Sequence, residues 1–315
     1  MENMNVSNED LCPADDMRSC TDIRAFAQEV CQAVSQKLGG GFQVKLQEVL
    51  KNNGVMLQGL ALLKEGSNIS PTIYLNSLME AYENHMPMED IVDRILDVYQ
   101  RNMPSEDICI DCFRDFEYAK TRICARVINR SRNSALLERI PHRDFLDLCI
   151  CYYFAYEDAK LGCGSILIYN NHMEMWKCTE EDLFETAYQN TRELFPVEIA
   201  NMGELLPKIG FDGEGLPEII PMYVISNQKR TYGAISILYP EVTAQLEELL
   251  DEDYYIIPSS VHEVIAIPVS FAAAPKNVIK MIESVNQTHV AKEEVLSDCL
   301  YVHEMGSEGV RVVVF

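Results

Sequence analysis

The sequence lacks the long apolar segments that mark membrane proteins and secreted precursors. No apolar run approaches the length of about 18 residues that a membrane-spanning helix needs. Residues 1–20 are polar and acidic and contain no apolar core of the kind found in signal peptides. We therefore expect a cytoplasmic protein without a membrane contact.

Complete catalytic, metal-binding and nucleotide-binding motifs are also missing. The chain contains neither the G-x-S-x-G turn of serine hydrolases nor the H-E-x-x-H pattern of zinc peptidases. The glycine-rich stretch at 208–217 does not follow the glycine spacing of a phosphate-binding loop, so it predicts a surface loop or a joint between two halves. A chain of 315 residues without such motifs favours a non-catalytic interaction or regulatory protein, and no cofactor is predicted.

Basic residues are scarce relative to acidic ones. The chain has 26 Lys and Arg residues against 49 Asp and Glu residues, which gives a formal net charge of −23 at pH 7. A charge of this sign repels nucleic acid and anionic membrane surfaces, so it argues against direct nucleic-acid binding and favours a basic protein partner. An acidic mimic that occupies the nucleic-acid site of a basic partner stays open as an alternative function.

The chain contains 11 cysteines, an odd number scattered along its length. This number and spacing of cysteines indicate a reducing compartment. In such a protein most thiols pack in the interior as small apolar groups. Cys109 and Cys112 form the one C-x-x-C pair and are the candidate metal ligands. A structural zinc site needs about four ligands, usually from two such pairs, and a redox pair would follow a strand, which residues 103–107 do not form. We therefore predict free thiols and no metal site.

Short apolar runs bounded by turn residues alternate with amphipathic segments along the chain, which predicts an α+β fold. We expect mixed, largely antiparallel sheets with flanking helices. The strongest local signal is Asn53-Gly54 between apolar runs at 42–50 and 55–63. It predicts a hairpin, because type I′ turns need positive φ at both central residues.

Helix boundaries follow from capping residues. Thr21 is the predicted cap of a helix that ends at Gly39. Thr179 and Asp182 have the spacing of a capping box, which predicts a helix that starts there. Pro275 is expected to begin another helix.

Three segments decide where the candidate residues lie. Residues 113–130 are predicted to form one helix, and the apolar stretch 144–156 a central buried strand. Residues 219–268 alternate apolar runs with turn residues and one acidic helix that starts near Glu241. The strands predicted there are 219–225, 234–238, 254–257 and 261–269, with a bend at 258–260.

The length of the chain exceeds that of one typical domain, so we predict two interlocked subdomains. The predicted parts are a disordered acidic tail at 1–20, an N-terminal α+β subdomain at 21–207, a loop or joint at 208–217 and a C-terminal α+β subdomain at 218–315.

Charge is most strongly segregated at 118–143, where seven basic residues stand against Glu138 as the single acid. In the predicted helix Arg122, Arg126 and Arg130 are four residues apart and would share one helix face. They either pair with the protein's own surplus carboxylates or form a patch for an anion or an acidic partner. Internal pairing is our prediction, and the patch stays open as the alternative.

Two short polar groups are the candidates for catalysis. His142 and Arg143 lie in the segment PHRD, and His262 and Glu263 follow the segment PSSV. Such side chains serve in acid–base catalysis, so a hydrolase or nuclease-like enzyme built from these dispersed residues is the alternative to a binding protein. His262 and Glu263 would point to opposite faces of a strand. Only convergence in the fold would assemble a catalytic site from them.

Four segments carry a resemblance to a known family. They are NNGVMLQGL, ISPTIYLN, LLERIPHRDFLDLCICYYF and YYIIPSSVHEVIAIP, in this order. Over residues 21–301 the chain resembles a family of proteins from Clostridia and related gut Firmicutes that is known only as a domain of unknown function. The resemblance implies relatedness and supplies neither an activity nor catalytic residues.

Overall fold

The computed structural model describes residues 16–67, 70–103, 110–158, 162–205 and 221–314. Helices and three sheets form an α+β fold, so the predicted fold class is confirmed. None of the described helices has the length and apolar character needed to span a membrane. The chain divides into two compact units: the first comprises Met1–Leu50, Met56–Ile108 and Asp158–Gly162, and the second comprises Lys51–Val55, Cys109–Glu157 and Cys163–Phe315.

The first unit is a three-stranded antiparallel sheet with three helices. Its elements are α1 (Asp16–Leu38), β1 (Phe42–Leu50), β2 (Met56–Lys64), β3 (Thr72–Tyr74), α2 (Asn76–Glu83) and α3 (Met88–Asn102). The strand order is β1-β2-β3. Val30 of α1, Leu60 of β2 and Ile95 of α3 are fully buried in its core.

Two local sequence signals in the N-terminal part of the chain had different outcomes. The hairpin of β1 and β2 is confirmed, with φ of 60° at Asn53 and 71° at Gly54. Helix α1 begins at Asp16, so Thr21 lies inside the helix and is not its cap. Residues 16–20 of the predicted tail are therefore helical, and residues 1–15 lie outside the described part of the chain.

The second unit contains two sheets. Its elements are α4 (Ile110–Arg114), α5 (Phe116–Ala119), β4 (Ile123–Asn129), α6 (Ser134–Leu137), β5 (His142–Phe145), β6 (Leu148–Asp158), β7 (Gly162–Leu167), α7 (Asn170–Trp176), α8 (Glu180–Leu194), β8 (Val197–Asn201), α9 (Met202–Leu205), β9 (Tyr223–Asn227), a 3₁₀ helix (Gly233–Leu238), α10 (Pro240–Leu250), β10 (Tyr254–Ser260), β11 (Glu263–Pro268), α11 (Pro275–Thr288), β12 (Tyr301–His303) and β13 (Arg311–Val312). Strands β4, β6 and β5 are neighbours in a four-stranded sheet in which β7 also pairs with β6. The six-stranded sheet has the order β13-β12-β10-β11-β9-β8.

One large core cluster of the second unit contains residues from both sheets and from α8. Ile150 and Tyr152 of β6 are buried in it with Leu183 of α8, Ile225 of β9 and Val264 of β11. The capping box that starts α8 and the helices α10 and α11 are present as predicted. This core holds the four-stranded sheet in place from one side.

The predicted strand at 144–156 is a hairpin of β5 and β6. The chain turns at Leu146 and Asp147, where Leu146 has a φ of 54°. A positive φ is rare for a residue other than glycine, so no turn residue indicated this bend. All residues from Leu148 to Ala155 are buried, so β6 is the central strand that the apolar run predicted.

Residues 113–130 do not form one helix, and this prediction is wrong. Two short helices, α4 and α5, are followed by strand β4. Ile123 and Ile128 are fully buried on opposite faces of β4, because a strand between two packed layers is apolar on both sides. Periodicity alone cannot assign such a run. Arg126 and Arg130 therefore do not share a helix face.

Two assignments within 219–268 are also wrong. The predicted strand at 234–238 belongs to the 3₁₀ helix Gly233–Leu238, which is a buried apolar run too short for periodicity to distinguish. The predicted bend at 258–260 belongs to β10, and the chain turns into β11 at Val261 and His262. The antiparallel pairing of β10 with β11 is as predicted.

The predicted joint at 208–217 lies outside the described residues. The strands on either side of it, β8 and β9, pair with each other in the six-stranded sheet. The chain before and after the joint therefore belongs to one unit, and the units do not follow the predicted boundaries 21–207 and 218–315. Strand pairing between distant segments overrides the local composition on which those boundaries were based.

Candidate anion-binding site

The four-stranded sheet places several predicted residues on one face. Its register sets Arg126 of β4 and His142 of β5 on either side of Cys151 of β6. Residues directly opposite each other on antiparallel strands point to the same face, so these three form one row. We call this side of the sheet the Arg126 face; it comprises Cys124, Arg126, Ile128, His142, Asp144, Cys149, Cys151 and Tyr153.

Arg126 packs against aromatic rings at this face. Its guanidinium carbon lies 4.6 Å from the centroid of the Tyr232 ring. That ring meets Tyr153 edge-on at 5.2 Å and stacks on His262 at 5.5 Å between centroids. Arg126 also lies directly opposite Cys151 in the strand register, and its charge opposes the rise that burial causes in the pKa of that thiol. The row across the sheet therefore continues through Tyr232 to His262.

Two neighbouring polar atoms at the Arg126 face have no hydrogen-bonding partner. The Nε of Arg126 and the hydroxyl of Tyr153 are buried, and neither bonds to a described residue. Leaving a buried donor unsatisfied costs about 1–3 kcal/mol, and more for a charged group. Burial raises the pKa of Tyr153 well above its ordinary value, so the hydroxyl keeps its proton. Both atoms are thus donors that lack an acceptor.

Further positive charge surrounds these donors. Arg122 directly precedes β4, and its charge and that of Lys229 act on the buried Cys124 thiol. Burial raises the pKa of this thiol to about 12, and the two cations oppose that rise. Among the described residues no carboxylate forms an ion pair with Arg122 or Arg126. The face is locally cationic in a strongly acidic chain.

Internal pairing accounts for four of the seven basic residues at 118–143. The ion pairs are Lys120 with Glu117, Arg130 with Asp144, Arg132 with Asp298, and Arg143 with Glu180 and Glu181. Internal pairing therefore occurs at Arg130 as predicted, whereas Arg122 and Arg126 have no such partner in the described part of the chain. The three arginines of the predicted patch therefore differ in whether they form an ion pair with a described residue.

Three side chains of the types that can ligate a metal ion lie together on the Arg126 face, in the β5–β6 hairpin. The Nδ1 of His142 donates to the carbonyl of Ile140 at 3.0 Å. The Cys149 thiol donates to one oxygen of Asp144 at 3.2 Å, and the other oxygen pairs with Arg130 at 3.2 Å. The bond from Cys149, followed by that from Arg130, lowers the pKa of Asp144. Burial raises the pKa of Cys149 to about 12.

Arg143 lies on the opposite face of β5 from His142. Its guanidinium donates to Glu180 at 2.9 Å and to Glu181 at 2.6 Å, and it lies 3.8 Å above the Phe184 ring. These carboxylates, Glu180 first, raise the pKa of Arg143 above its ordinary value. Arg143 therefore anchors the start of α8 and is not brought together with His142.

His262 and Glu263 lie where β10 turns into β11. The Nδ1 of His262 accepts a hydrogen bond from the backbone N–H of Tyr232 at 3.1 Å, and Nε2 lies 3.6 Å from Glu294. A carboxylate oxygen of Glu263 lies 3.9 Å from the guanidinium of Arg230. His142 and His262 are at the two ends of the row across the Arg126 face, and no hydrogen bond between described residues joins them. The four catalytic candidates do not converge into one group.

Comparison with protein families finds a match that covers most of the chain. The model of DUF5688, a family of unknown function, matches residues 23–304. The chain belongs to this family. No curated protein and no solved structure matches it. The predicted relation to a family of unknown function is confirmed by DUF5688, whereas its origin in Clostridia and related Firmicutes stays a prediction.

The DUF5688 region also contains the C-x-x-C pair. Cys112 is disulfide-bonded, so the prediction of free thiols is wrong at this position, and Cys109 lies outside the described residues. A disulfide sulfur is not the thiolate that a metal ion needs. Among the side chains that the structure describes, the free thiols are those of Cys31, Cys124, Cys149, Cys151, Cys178 and Cys299.

The sequence analysis did not place four residues near Arg126. Cys149, Cys151 and Tyr153 alternate within a segment predicted to be a strand, and this period of two puts them on one face. That alternation was a usable signal. Tyr232 had none, because only the fold brings it over Arg126.

Proposed function

We propose that this DUF5688 protein is a non-catalytic cytoplasmic binding protein whose Arg126 face holds an oxyanion, a phosphate or carboxylate group of its ligand. The observation that supports this most directly is the pair of buried donors without acceptors, the Nε of Arg126 and the hydroxyl of Tyr153. An oxyanion bound there would accept hydrogen bonds from both and neutralise the arginine. Arg122 and Lys229 add positive charge beside it.

The energetics at Arg126 favour a ligand. A buried donor without an acceptor destabilises the fold by about 1–3 kcal/mol. This cost is larger than the stabilisation of roughly 0–1 kcal/mol that a surface ion pair provides. The chain has 49 acidic residues, yet none of the described ones neutralises this arginine. Hydrogen bonds to an ionised group are about twice as strong as neutral ones, so a bound oxyanion would offset the cost.

The chemistry of the Arg126 face favours binding over catalysis. A cysteine attacks as the thiolate, but burial raises the pKa of Cys124 and Cys149 to about 12 and also raises that of Cys151. His262 accepts a backbone hydrogen bond at one ring nitrogen and faces Glu294 with the other. The hydrolase or nuclease-like alternative therefore lacks an activated nucleophile among the described residues of this face.

The acidic-mimic alternative has less support. A mimic needs a contiguous row of carboxylates that are free for a partner. Several acids at 241–253 instead make contacts within the protein, because Glu241 pairs with Arg192 and Glu247 pairs with His303. These two carboxylates already have partners within the protein.

Titration with small oxyanions tests the binding proposal. Thermal unfolding of the wild type and of Arg126→Gln is followed in phosphate and in acetate, each compared with chloride at the same ionic strength. We expect at least one oxyanion to raise the wild-type Tm and neither to raise that of Arg126→Gln. A ligand at 100 times its Kd stabilises by about 2.7 kcal/mol. The response to phosphate against acetate distinguishes a phosphate from a carboxylate ligand.

Two variants complete this experiment. Arg139→Gln is the matched control, because Arg139 is an exposed arginine of the same basic segment. Tyr153→Phe keeps the ring and removes a hydroxyl that has no hydrogen-bond acceptor in the free protein. It should therefore weaken the oxyanion response without destabilising the free protein. The proposal fails if oxyanions stabilise the wild type no more than chloride does, or if Arg126→Gln and Arg139→Gln respond alike.

A further inference from the structure

The β5–β6 hairpin carries side chains that the oxyanion site does not use. We propose that His142, Asp144 and Cys149 bind a divalent transition-metal ion of the zinc type. One donor atom from each of the three residues lies within 4.8 Å of the other two. This grouping does not involve Arg126, so it is independent of the proposed oxyanion.

The backbone explains why these donors converge. Asp144 and Cys149 are directly opposite each other in the register of β5 and β6, so their side chains leave the sheet side by side. His142 is two residues before Asp144 on the same strand and therefore points to the same face. A nitrogen, an oxygen and a sulfur donor are thus brought together by a hairpin with a tight turn.

The surrounding hydrogen bonds orient each ligand. The Nδ1 of His142 donates to the carbonyl of Ile140 at 3.0 Å, which leaves the lone pair of Nε2 for a metal ion. Histidine ligands of metals usually have such an outer hydrogen bond. Asp144 is held through one oxygen by Arg130, while its other oxygen faces the Cys149 thiol at 3.2 Å. The ligands are therefore largely arranged before a metal ion arrives.

The donor set indicates the class of metal. Ca²⁺ and Mg²⁺ prefer oxygen ligands, whereas Zn²⁺ accepts Cys sulfur, His nitrogen and Asp oxygen in tetrahedral geometry. The thiolate of Cys149 and the carboxylate of Asp144 together balance the charge of a divalent ion. Three protein ligands leave the fourth position for water or for an atom of a bound molecule.

Metal binding exchanges the thiol proton for the ion. In the metal-free protein the Cys149 thiol carries its proton, because it donates a hydrogen bond to Asp144 at 3.2 Å. On binding, the S–H bond breaks, the proton passes to solvent and the bond from sulfur to the metal forms. The Asp144 side chain is 62% exposed, so an ion can reach the site from solvent.

Metal titration of the full chain tests the site. Protein stripped with a chelator and kept reduced is titrated with Zn²⁺ against a chromophoric chelator. A parallel titration with Co²⁺ records the thiolate-to-cobalt charge-transfer absorption. We expect one ion per chain and a thiolate band that Cys149→Ser removes. His142→Gln and Asp144→Asn should each weaken Zn²⁺ binding by at least about tenfold. Because Asp144 is exposed, its variant tests the site even if Cys149→Ser does not fold.

Two control variants separate this site from the other thiols. Cys112→Ser disrupts the C-x-x-C pair, and Cys31→Ser alters a partly exposed thiol far from the hairpin in sequence. Neither should change the stoichiometry or the cobalt band. The proposal is overturned if the wild type binds no ion, if the band survives Cys149→Ser, or if Cys112→Ser removes it. Phosphate stabilisation measured on the metal-free protein is the separate test of the oxyanion site.

Discussion

Replacing Arg126 with methionine distinguishes an arginine without a counter-ion from one held by a carboxylate. Methionine keeps most of the side-chain length and the contact with the Tyr232 ring, but it removes the charge and the buried Nε. Without a bound anion the variant loses a cation–π contact worth about 0.5–2 kcal/mol. It gains about 1–3 kcal/mol because no buried donor is left unsatisfied.

These contributions nearly cancel, so we expect Arg126→Met to change the free energy of unfolding by less than about 1 kcal/mol. An arginine with a buried carboxylate partner behaves differently, because removing one member of a buried pair costs about 3–5 kcal/mol. The two cases are well separated. A phosphate or acetate titration of the same variant should show no stabilisation.

The assay is urea unfolding followed by the fluorescence of Trp176. This is the single tryptophan of the chain, and it packs against Phe113 and Phe116 in the second unit. Its emission therefore reports the unit that contains Arg126, and urea is uncharged, so it does not screen the arginine. Arg143→Met is the positive control. It loses hydrogen bonds to two carboxylates and should cost about 1.5–3 kcal/mol.

A loss of about 3 kcal/mol or more for Arg126→Met in chloride would refute the reasoning. Such a loss would mean that an internal carboxylate neutralises Arg126 in solution. The oxyanion proposal would then have no basis, whatever the behaviour of the control at Arg143.

Packing and capping contacts lead to three more expected outcomes. Leu148 is fully buried in β6, so Leu148→Ala should lower the free energy of unfolding by about 2–5 kcal/mol in urea, and a loss below about 0.5 kcal/mol would contradict its central position. Gly233→Ala should lower the free energy of unfolding by about 1–3 kcal/mol, because a Cβ there would lie 2.7 Å from two backbone atoms. Gly40→Ala is the control, because a Cβ at Gly40 would have no neighbouring atom within 4 Å. Equal effects of the two substitutions would disprove the contact. Hydrogen bonds from Thr179 lower the pKa of Asp182 in the folded state. The ionised carboxylate therefore stabilises the fold at pH values above about 3.9, the pKa of Asp in the unfolded chain. This stabilisation is lost as the pH falls through the pKa of the folded state. The stability difference between wild type and Asp182→Asn should therefore be present at neutral pH and shrink in acid; a difference that is constant with pH would rule out the cap as its cause.

Elements with a local chemical signal were predictable. The positive φ of Asn53 and Gly54 and the capping box of Thr179 depend on residues a few positions apart, so the sequence suffices for them. The predictions failed where one short apolar run fits two structures. Strand β4 and the 3₁₀ helix Gly233–Leu238 are both such runs, and burial from neighbouring elements decided between them.

The amino-acid sequence by itself determined the hairpin of the first unit, the cap of α8 and the buried run of β6. It also determined that Cys149, Cys151 and Tyr153 share one side of a strand, because alternation does not depend on what lies beside the strand. Only the tertiary structure decided that Arg126 faces Tyr232 without a carboxylate and that Asp144 stands beside Cys149. Both depend on strand register and on loops from distant parts of the chain. Register is a property of two segments together, so neither segment alone encodes it.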